Sequence, residues 1–155
     1  MEKKVSDSIT EQVHIVRSQY INGYGRLFGG QLMQWIDELA GVVARRHADH
    51  EVTTASIDTI EFKKPAFSND LIVMIGKVTF VGRTSMEVRV DSYVEAYGAE
   101  RSLINTAYVV MVAIDEEGNP IVLPKLIPET EEERSDWEDG EKRYHLRKER
   151  RKAGY

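Results

Sequence analysis

The 155-residue chain contains no cysteine. That absence removes disulfides, thiolate nucleophiles and thiolate metal sites, so any chemistry rests on oxygen and nitrogen groups. The chain also lacks an uninterrupted apolar run of about 18 residues, the length a membrane-crossing helix requires. Its opening, Met1 to Ser8, is polar and charged where a leader would be apolar. A soluble, cytoplasmic protein with no membrane partner is expected. Positive charge is in the minority, with 21 Lys and Arg against 26 Asp and Glu, and the net charge of −5 argues against nonspecific nucleic-acid binding. There is no Gly-x-Ser-x-Gly elbow, no Gly-x4-Gly-Lys phosphate loop and no internal repeat, so the signatures of serine hydrolases, phosphate-loop enzymes and solenoids are missing.

What is present is enough for one core: 41% of the residues are hydrophobic, in a chain too short for two ordinary domains. The richest stretch is Asn22-Gly-Tyr-Gly-Arg-Leu-Phe-Gly-Gly-Gln-Leu-Met-Gln-Trp-Ile-Asp37-Glu. Leu32, Ile36, Leu39 and Val43 recur at helical spacing, and Met33, Ala40 and Ala44 widen the stripe, which predicts a largely buried helix. Gly29 and Gly30 open it. Two glycines there leave the first backbone N–H groups approachable, where the helix dipole favours negative charge. Asp37 lies on the flank formed by Met33, Ala40, Gly41 and Ala44, none of which supplies a charge or a side-chain hydrogen bond. A carboxylate buried without a partner titrates higher than usual, which suits a general base or a nucleophile near neutral pH. The competing reading is a solvated aspartate, a place that Glu38, one step round the helix, fills better.

After this helix the period changes from 3.6 to 2. Met86, Val88, Val90, Ser92 and Val94 alternate with Glu87, Arg89, Asp91, Tyr93 and Glu95, the pattern of a half-buried strand. Thr53 to Phe62, Leu71 to Val81 and Ser102 to Ile114 are rich in β-branched residues and read as three more strands, with an earlier one over Glu11 to Arg17. Gly82-Arg83 and Tyr97-Gly98 supply hairpin turns, and Glu117-Gly118-Asn119-Pro120 ends the sheet. The expected architecture is α+β: an antiparallel five-stranded sheet wrapped around one long central helix.

On Asn22, Phe28-Gly29-Gly30, Trp35-Ile36-Asp37-Glu38 with Ala40, Phe62-Lys63-Lys64-Pro65-Ala66 and Val81-Gly82-Arg83-Thr84-Ser85-Met86, the chain resembles the hot-dog-fold acyl-CoA thioesterases of the cytosolic acyl-CoA hydrolase type. The resemblance runs from about Glu11 to Ile114. It implies hydrolysis of acyl-CoA to free CoA and a carboxylic acid with no metal or other cofactor, CoA entering as part of the substrate. Carried over residue by residue, it makes Asp37 the general base or the nucleophile, Gly30 with Gly29 the oxyanion donors, and Asn22 a loop amide that positions water or thioester. It further implies a homodimer with shared active sites, often a trimer of such dimers. Asn22 also reads simply as a turn former before Gly23. A non-catalytic acyl-CoA sensor on the same fold is the alternative function; a hot-dog dehydratase would need a histidine, which the segment from Asn22 to Asp37 lacks.

CoA carries phosphates, so its site calls for cations and hydroxyls. Arg83, Thr84 and Ser85 are the first candidates, Lys63 and Lys64 the second. The chain's end divides into an acidic Glu129 to Glu141 and a basic Lys142 to Lys152, with a helix start at Thr130-Glu-Glu-Glu. The organisation expected is a domain over residues 1–125 followed by a charged helical extension over 126–155. Charge runs are ordinarily solvated, yet Arg143, Arg147 and Arg150 share one stripe that could reach a neighbouring subunit's nucleotide phosphates. Trp137 and Tyr144, seven apart, read as anchors for this tail. His47 and His50 read as charged groups at a helix C-terminus rather than a metal pair.

Overall fold

The computed structural model describes residues 1–58 and 60–155. Strand β1 (Glu2–Lys4) and β2 (Thr10–Ile15) precede helix α1 (Gly29–Ala48). Then come β3 (Glu51–Ile57), β4 (Glu61–Phe62), β5 (Leu71–Val81), β6 (Ser85–Glu95), β7 (Arg101–Ile114), β8 (Lys125–Ile127) and α2 (Glu131–Ala153). The main sheet is antiparallel in the order β2-β5-β6-β7-β3, with the two-residue β4 pairing to β7 beyond the end of β3. The antiparallel sheet around a central helix expected from the alternation, the hot-dog fold that the resemblance implies, is therefore present. Two details differ from expectation. The strand expected over Thr53 to Phe62 is divided into β3 and β4, with a bulge between Thr54 and Ser56; Thr59 lies outside the described residues. A second small sheet joins β1 and β8 in parallel.

Helix α1 lies in the concave side of the sheet. Leu32, Ile36, Leu39 and Val43 are at most 1% exposed and share one core cluster with Ile72, Met74, Val88, Val90, Val109 and Met111. Each such side chain contributes roughly 1.5–3 kcal/mol by leaving water. Closest approach falls at Gly76 of β5, where an added Cβ would stand 2.9 Å from Val43 Cγ2, so a side chain at this strand position would push the helix away. Beyond the helix, Asp49 takes the left-handed C-cap conformation (φ 55°), and Lys3 donates to the Arg46 carbonyl at 2.7 Å, tying β1 to the far end of α1.

The convex side of the sheet overturns the half-buried reading of β6. Glu87, expected to face water, is 1% exposed, and Arg89 and Asp91 are half-buried. The cover is α2. Its start is a capping box in which Thr130 accepts from the Glu133 N–H, and Trp137 and Tyr144 both lie against Phe80, as anchors should. Gly140 allows the close contact, since a Cβ there would meet Phe80 Cβ at 2.7 Å. Among the described residues, no helix is long and apolar enough to cross a membrane.

Candidate active site

The loop before α1 is shaped by Asn22. Its side-chain oxygen accepts from the N–H groups of Tyr24 (2.9 Å) and Arg26 (3.2 Å), while its own N–H donates to the Arg26 carbonyl at 2.8 Å. Asn22 is therefore a turn former, and the turn fixes the amide: with Oδ1 committed to backbone donors, Nδ2 is the half left to act on a ligand.

Phe28 follows as the extended N-cap residue, offering no side-chain cap. Intrahelical bonding begins with the N–H groups of Gln31 and Leu32, which donate to the Phe28 carbonyl at 3.0 and 3.2 Å. The amides of Gly29 and Gly30 precede that ladder, as helix geometry requires. Both glycines are pressed by aromatic rings. A Cβ on Gly30 would come within 2.5 Å of the Phe28 ring, and one on Gly29 within 3.3 Å of the Phe62 ring. Phe28 and Phe62 are themselves 56% and 55% exposed. A groove of about 410 Å³ runs beside Gly29, with Asn22, Lys63 and Lys64 also on it.

Asp37 is half-buried, and Glu38 is exposed, as the helix phase predicted. The carboxylate is not without a partner, however: Thr54 Oγ1 donates to Asp37 Oδ1 at 2.7 Å. Thr54 belongs to the edge strand β3, opposite Met111, whose sulfur it also approaches at 3.4 Å. Sequence reasoning missed this residue; two adjacent threonines at the start of a strand that follows the helix were the available signal. Asp37 stands seven residues beyond Gly30, about 10 Å along the helix axis at 1.5 Å per residue. One chain thus presents the amides and the carboxylate at separate places along one helix.

The residues considered for CoA are spread over three cavities, the largest of them, about 850 Å³, being lined by Lys63 and Arg143 together with Arg89 and Arg150. Lys63 and Lys64 share the groove of Asn22. Ser85 lines a different cavity, about 310 Å³, with Ser56, Tyr144, Arg147, Arg150 and Arg151. Arg83 and Thr84 form the adjoining turn, where their carbonyls accept from the N–H groups of Leu123 and Ala113. Arg143 and Arg147 are committed inside the chain. Arg143 forms two bonds to Glu87, at 3.0 and 2.8 Å, and lies over the Tyr108 ring. Arg147 joins Glu87 at 3.0 Å to Asp58 at 3.3 Å. Thr79 adds a hydroxyl bond to Glu87 of 2.7 Å. Burial would lower the Arg143 guanidinium, but its bonds to Glu87 outweigh that and hold it above its ordinary value. These two arginines anchor α2, whereas Arg150, the last of the stripe, is exposed and pairs with Asp58 at 3.2 Å.

His47 also departs from expectation. It is fully buried, with Nε2 donating to the Pro124 carbonyl at 2.8 Å. Burial pushes its imidazole below the ordinary value, so it is neutral rather than a charged helix terminator. His50 Nδ1 lies 3.0 Å from the Ala48 carbonyl. Among the described residues no group of three or more His, Cys, Asp or Glu gathers to hold a metal ion.

Comparison with known proteins bears on this arrangement. The profile of the Thioesterase superfamily matches residues 24–96. An uncharacterised acyl-CoA thioester hydrolase of Bacillus subtilis is 42% identical over 113 residues, 72% of this chain and 66% of that one. The cytosolic acyl coenzyme A thioester hydrolase of Rattus norvegicus is 34% identical over 96% of this chain and 40% of its own length, so the chain spans well under half of that relative. Among solved structures, an acyl-CoA hydrolase from Staphylococcus aureus in complex with butyryl coenzyme A and coenzyme A superposes with a TM-score of 0.93 at 34% identity, covering 97% of this chain and 93% of that one. Variants of the staphylococcal enzyme with Asn, Asp and Thr each replaced by alanine superpose at 0.92 to 0.93 and 33% identity. An apo-hexameric acyl-CoA thioesterase is 39% identical, with a TM-score of 0.92 and 96% of each chain covered. With TM-scores above 0.9 and this degree of identity across nearly the whole of both chains, the protein belongs to the thioesterase superfamily.

Proposed function

We propose that the protein hydrolyses acyl-CoA thioesters to free CoA and a carboxylic acid, with Asp37 as the general base. The observation that carries the reading is the Thr54–Asp37 hydrogen bond of 2.7 Å, made on a helix whose first amides precede its hydrogen-bond ladder. The three residues replaced in the staphylococcal enzyme, an Asn, an Asp and a Thr, have the same separations along its chain as Asn22, Asp37 and Thr54 have here. That coincidence supports all three assignments together.

In this mechanism the thioester oxygen lies against the Gly30 N–H, with Gly29 beside it, where helix dipole and free donors stabilise the charge that develops on the oxygen. Thr54 holds Asp37 by Oδ1, so Oδ2 is the oxygen that takes the proton from water. The water oxygen adds to the carbonyl carbon. The tetrahedral oxyanion then collapses, the C–S bond breaks, and the proton on Oδ2 passes to the departing CoA sulfur. Asn22 Nδ2 donates to the water or to the thioester oxygen.

Because about 10 Å of helix separates Gly30 from Asp37, the donors and the base that meet on one thioester come from two chains. A homodimer is thus the smallest active unit, and edge strand β3, which carries Thr54, is the edge through which it forms. The hexameric relative accords with a trimer of such dimers. The CoA phosphates are assigned to Arg83, Thr84 and Ser85, of which Ser85 lines the cavity that Arg150 and Arg151 also line.

The test is thiol release from a panel of acyl-CoAs, with thermal stabilisation by CoA measured in parallel. Turnover by the wild type and a fall of roughly 10²–10⁴-fold for a folded Asp37→Ala protein are expected. Stabilisation by acyl-CoA with no thiol released would replace the hydrolase by a sensor.

A further inference from the structure

Side chains alternate between the two faces of a strand, so Thr54 and Asp58, four residues apart, would ordinarily point the same way. They do not. Thr54 turns to the concave side, where its hydroxyl reaches Asp37 of α1. Asp58, directly after β3, turns to the convex side, where Arg147 and Arg150 of α2 reach its carboxylate at 3.3 and 3.2 Å. The cause is the bulge. Thr54 lies opposite Met111 and Ser56 opposite Val110, so the register passes over Ala55 and every later residue exchanges its face. Ile57 accordingly packs against the core cluster.

A bulge weakens the strand it re-aims, because the extra residue is left out of the ladder. Strand β3 has little in reserve, since among the described residues it pairs with β7 alone and ends the sheet. Past the bulge the chain is held by the Asp58 N–H, which donates to the Tyr108 carbonyl at 2.8 Å, and by the two arginines. Arg147 is itself fixed, with Nη1 also 3.0 Å from the buried Glu87 carboxylate. The Arg147 and Asp58 side chains are 12% and 16% exposed, so solvent ions screen this pair little. One short strand is thus gripped by α1 on one face and by α2 on the other.

We propose that Asp58 and Arg147 are positioning residues for the reaction: the grip of α2 on Asp58 sets the bulge, the bulge sets the direction of Thr54, and Thr54 holds Asp37 by Oδ1. The inference rests on the hydrolase reading, with Asp37 and Thr54 in the roles given above. Neither Asp58 nor Arg147 touches a reacting atom. The C-terminal helix nonetheless belongs to the catalytic scaffold, although it lies on the face of the sheet opposite the base. Misplacing a catalytic group by about 1 Å, even from a distant change, is enough to slow a reaction up to about a hundredfold.

The experiment is a kinetic double-mutant cycle. Asp58→Asn, which is nearly isosteric, and Thr54→Val are made singly and together, and kcat is measured at saturating acyl-CoA. KM, the melting temperature and hydrogen exchange of the peptide containing β3 are followed in parallel. Asp58→Asn alone is expected to lower kcat by about tenfold, within the range for sites coupled through a backbone shift, and by less than about twofold where Thr54 is already valine. β3 should exchange faster in both Asp58→Asn proteins. Because Asp58 and Arg147 also line the cavity given to the CoA phosphates, a role in binding alone would move KM and leave kcat intact. A general loss of stability would reduce kcat by the same factor in both backgrounds. Either of those results, or kcat and KM both unchanged in folded Asp58→Asn, overturns the assignment. Arg147→Met leaves Glu87 with Arg143 and Thr79 and repeats the cycle from the other side of the ion pair, so it decides the matter if Asp58→Asn fails to fold. If the wild type releases no thiol from any acyl-CoA, the hydrolase reading falls, and exchange of β3 still decides for or against the grip of α2 on the strand.

Discussion

Thr54 donates its hydroxyl to Asp37 across the gap between an edge strand and the central helix, at 2.7 Å. The bond fixes which carboxylate oxygen remains free for water. Thr54→Val removes the donor at nearly constant volume and is expected to lower kcat by about ten- to a hundredfold, the range for losing a hydrogen bond to a charged group. KM should change little, and Thr54→Ser should recover most of the rate. Steady-state thiol release on the three proteins checks this; equal activity of the valine variant would remove Thr54 from the mechanism.

The second prediction concerns the anchor under α2. Glu87 receives Arg143, Arg147 and Thr79, and its side chain is fully buried. Removing one side of a buried ion pair leaves the other uncompensated, so Glu87→Ala is expected to cost about 3–5 kcal/mol in urea unfolding. The loss should persist at high salt, because buried pairs are screened little. A cost under about 1 kcal/mol, typical of surface pairs, would show that α2 is held by its aromatic contacts instead.

Gly140 sets up a test of opposite sign to helix propensity. Alanine at an exposed helix position gains roughly 1 kcal/mol over glycine. At residue 140 the added methyl would stand 2.7 Å from Phe80 Cβ and 3.1 Å from Glu87 Oε1, and the first of these atoms cannot swing aside. Gly140→Ala is therefore expected to destabilise by about 1–3 kcal/mol, as overpacking does. A melting temperature at or above that of the wild type would contradict the docking described for α2.

The fourth prediction is acid sensitivity at His47. Its folded value lies below the ordinary 6.5, lowered by burial against the raising effect of the Pro124 carbonyl bond, while the Lys3 charge lowers it and the Asp49 and Asp7 charges raise it to a smaller extent. The unfolded chain therefore binds the proton more readily. Stability from this group is fully present above about pH 6.5 and is lost as pH falls from there through the lower folded value. His14, stacked on Trp35 with ring centroids 4.2 Å apart, is lowered by burial too and acts in the same direction. His47→Gln should lose less stability than wild type between pH 7.5 and pH 5.5, buffers chosen to bracket roughly that window. Thermal melts at the two pH values decide it; parallel losses would assign the effect to His14 or to carboxylates.

What was legible in the sequence follows from where each signal is local. Leu71–Val81 stands as read, because its β-branched run is bounded by its own turns. Thr130 and Glu133 announce the start of α2 within four residues. Asp37 was visible as a carboxylate among apolar neighbours, but Thr54 was not, since their contact depends on how the strand returns past the helix. The alternation of β6 misled for a related reason: Glu87, Arg89 and Asp91 have the pattern of a wet face, and the helix that covers them comes more than forty residues later. The covering was written in complementary form, with Asp136, Gly140, Arg143 and Arg147 at helical spacing opposite Lys77, Glu87 and Arg89. A stripe of charge on one element is read correctly only when its counterpart on another element is identified.

The roughly 10 Å of helix between Gly30 and Asp37 gives the protein a genetics of its own. If Asn22 and the glycine amides of one chain work on the same thioester as Asp37 of the other, a chain carrying Asn22→Ala and a chain carrying Asp37→Ala fail in different halves of each site. Their mixed dimer then contains one site with both defects and one with neither. Random pairing of the two inactive proteins should restore roughly a quarter of the wild-type number of working sites, so that two defective alleles in one cell complement each other where either alone is silent.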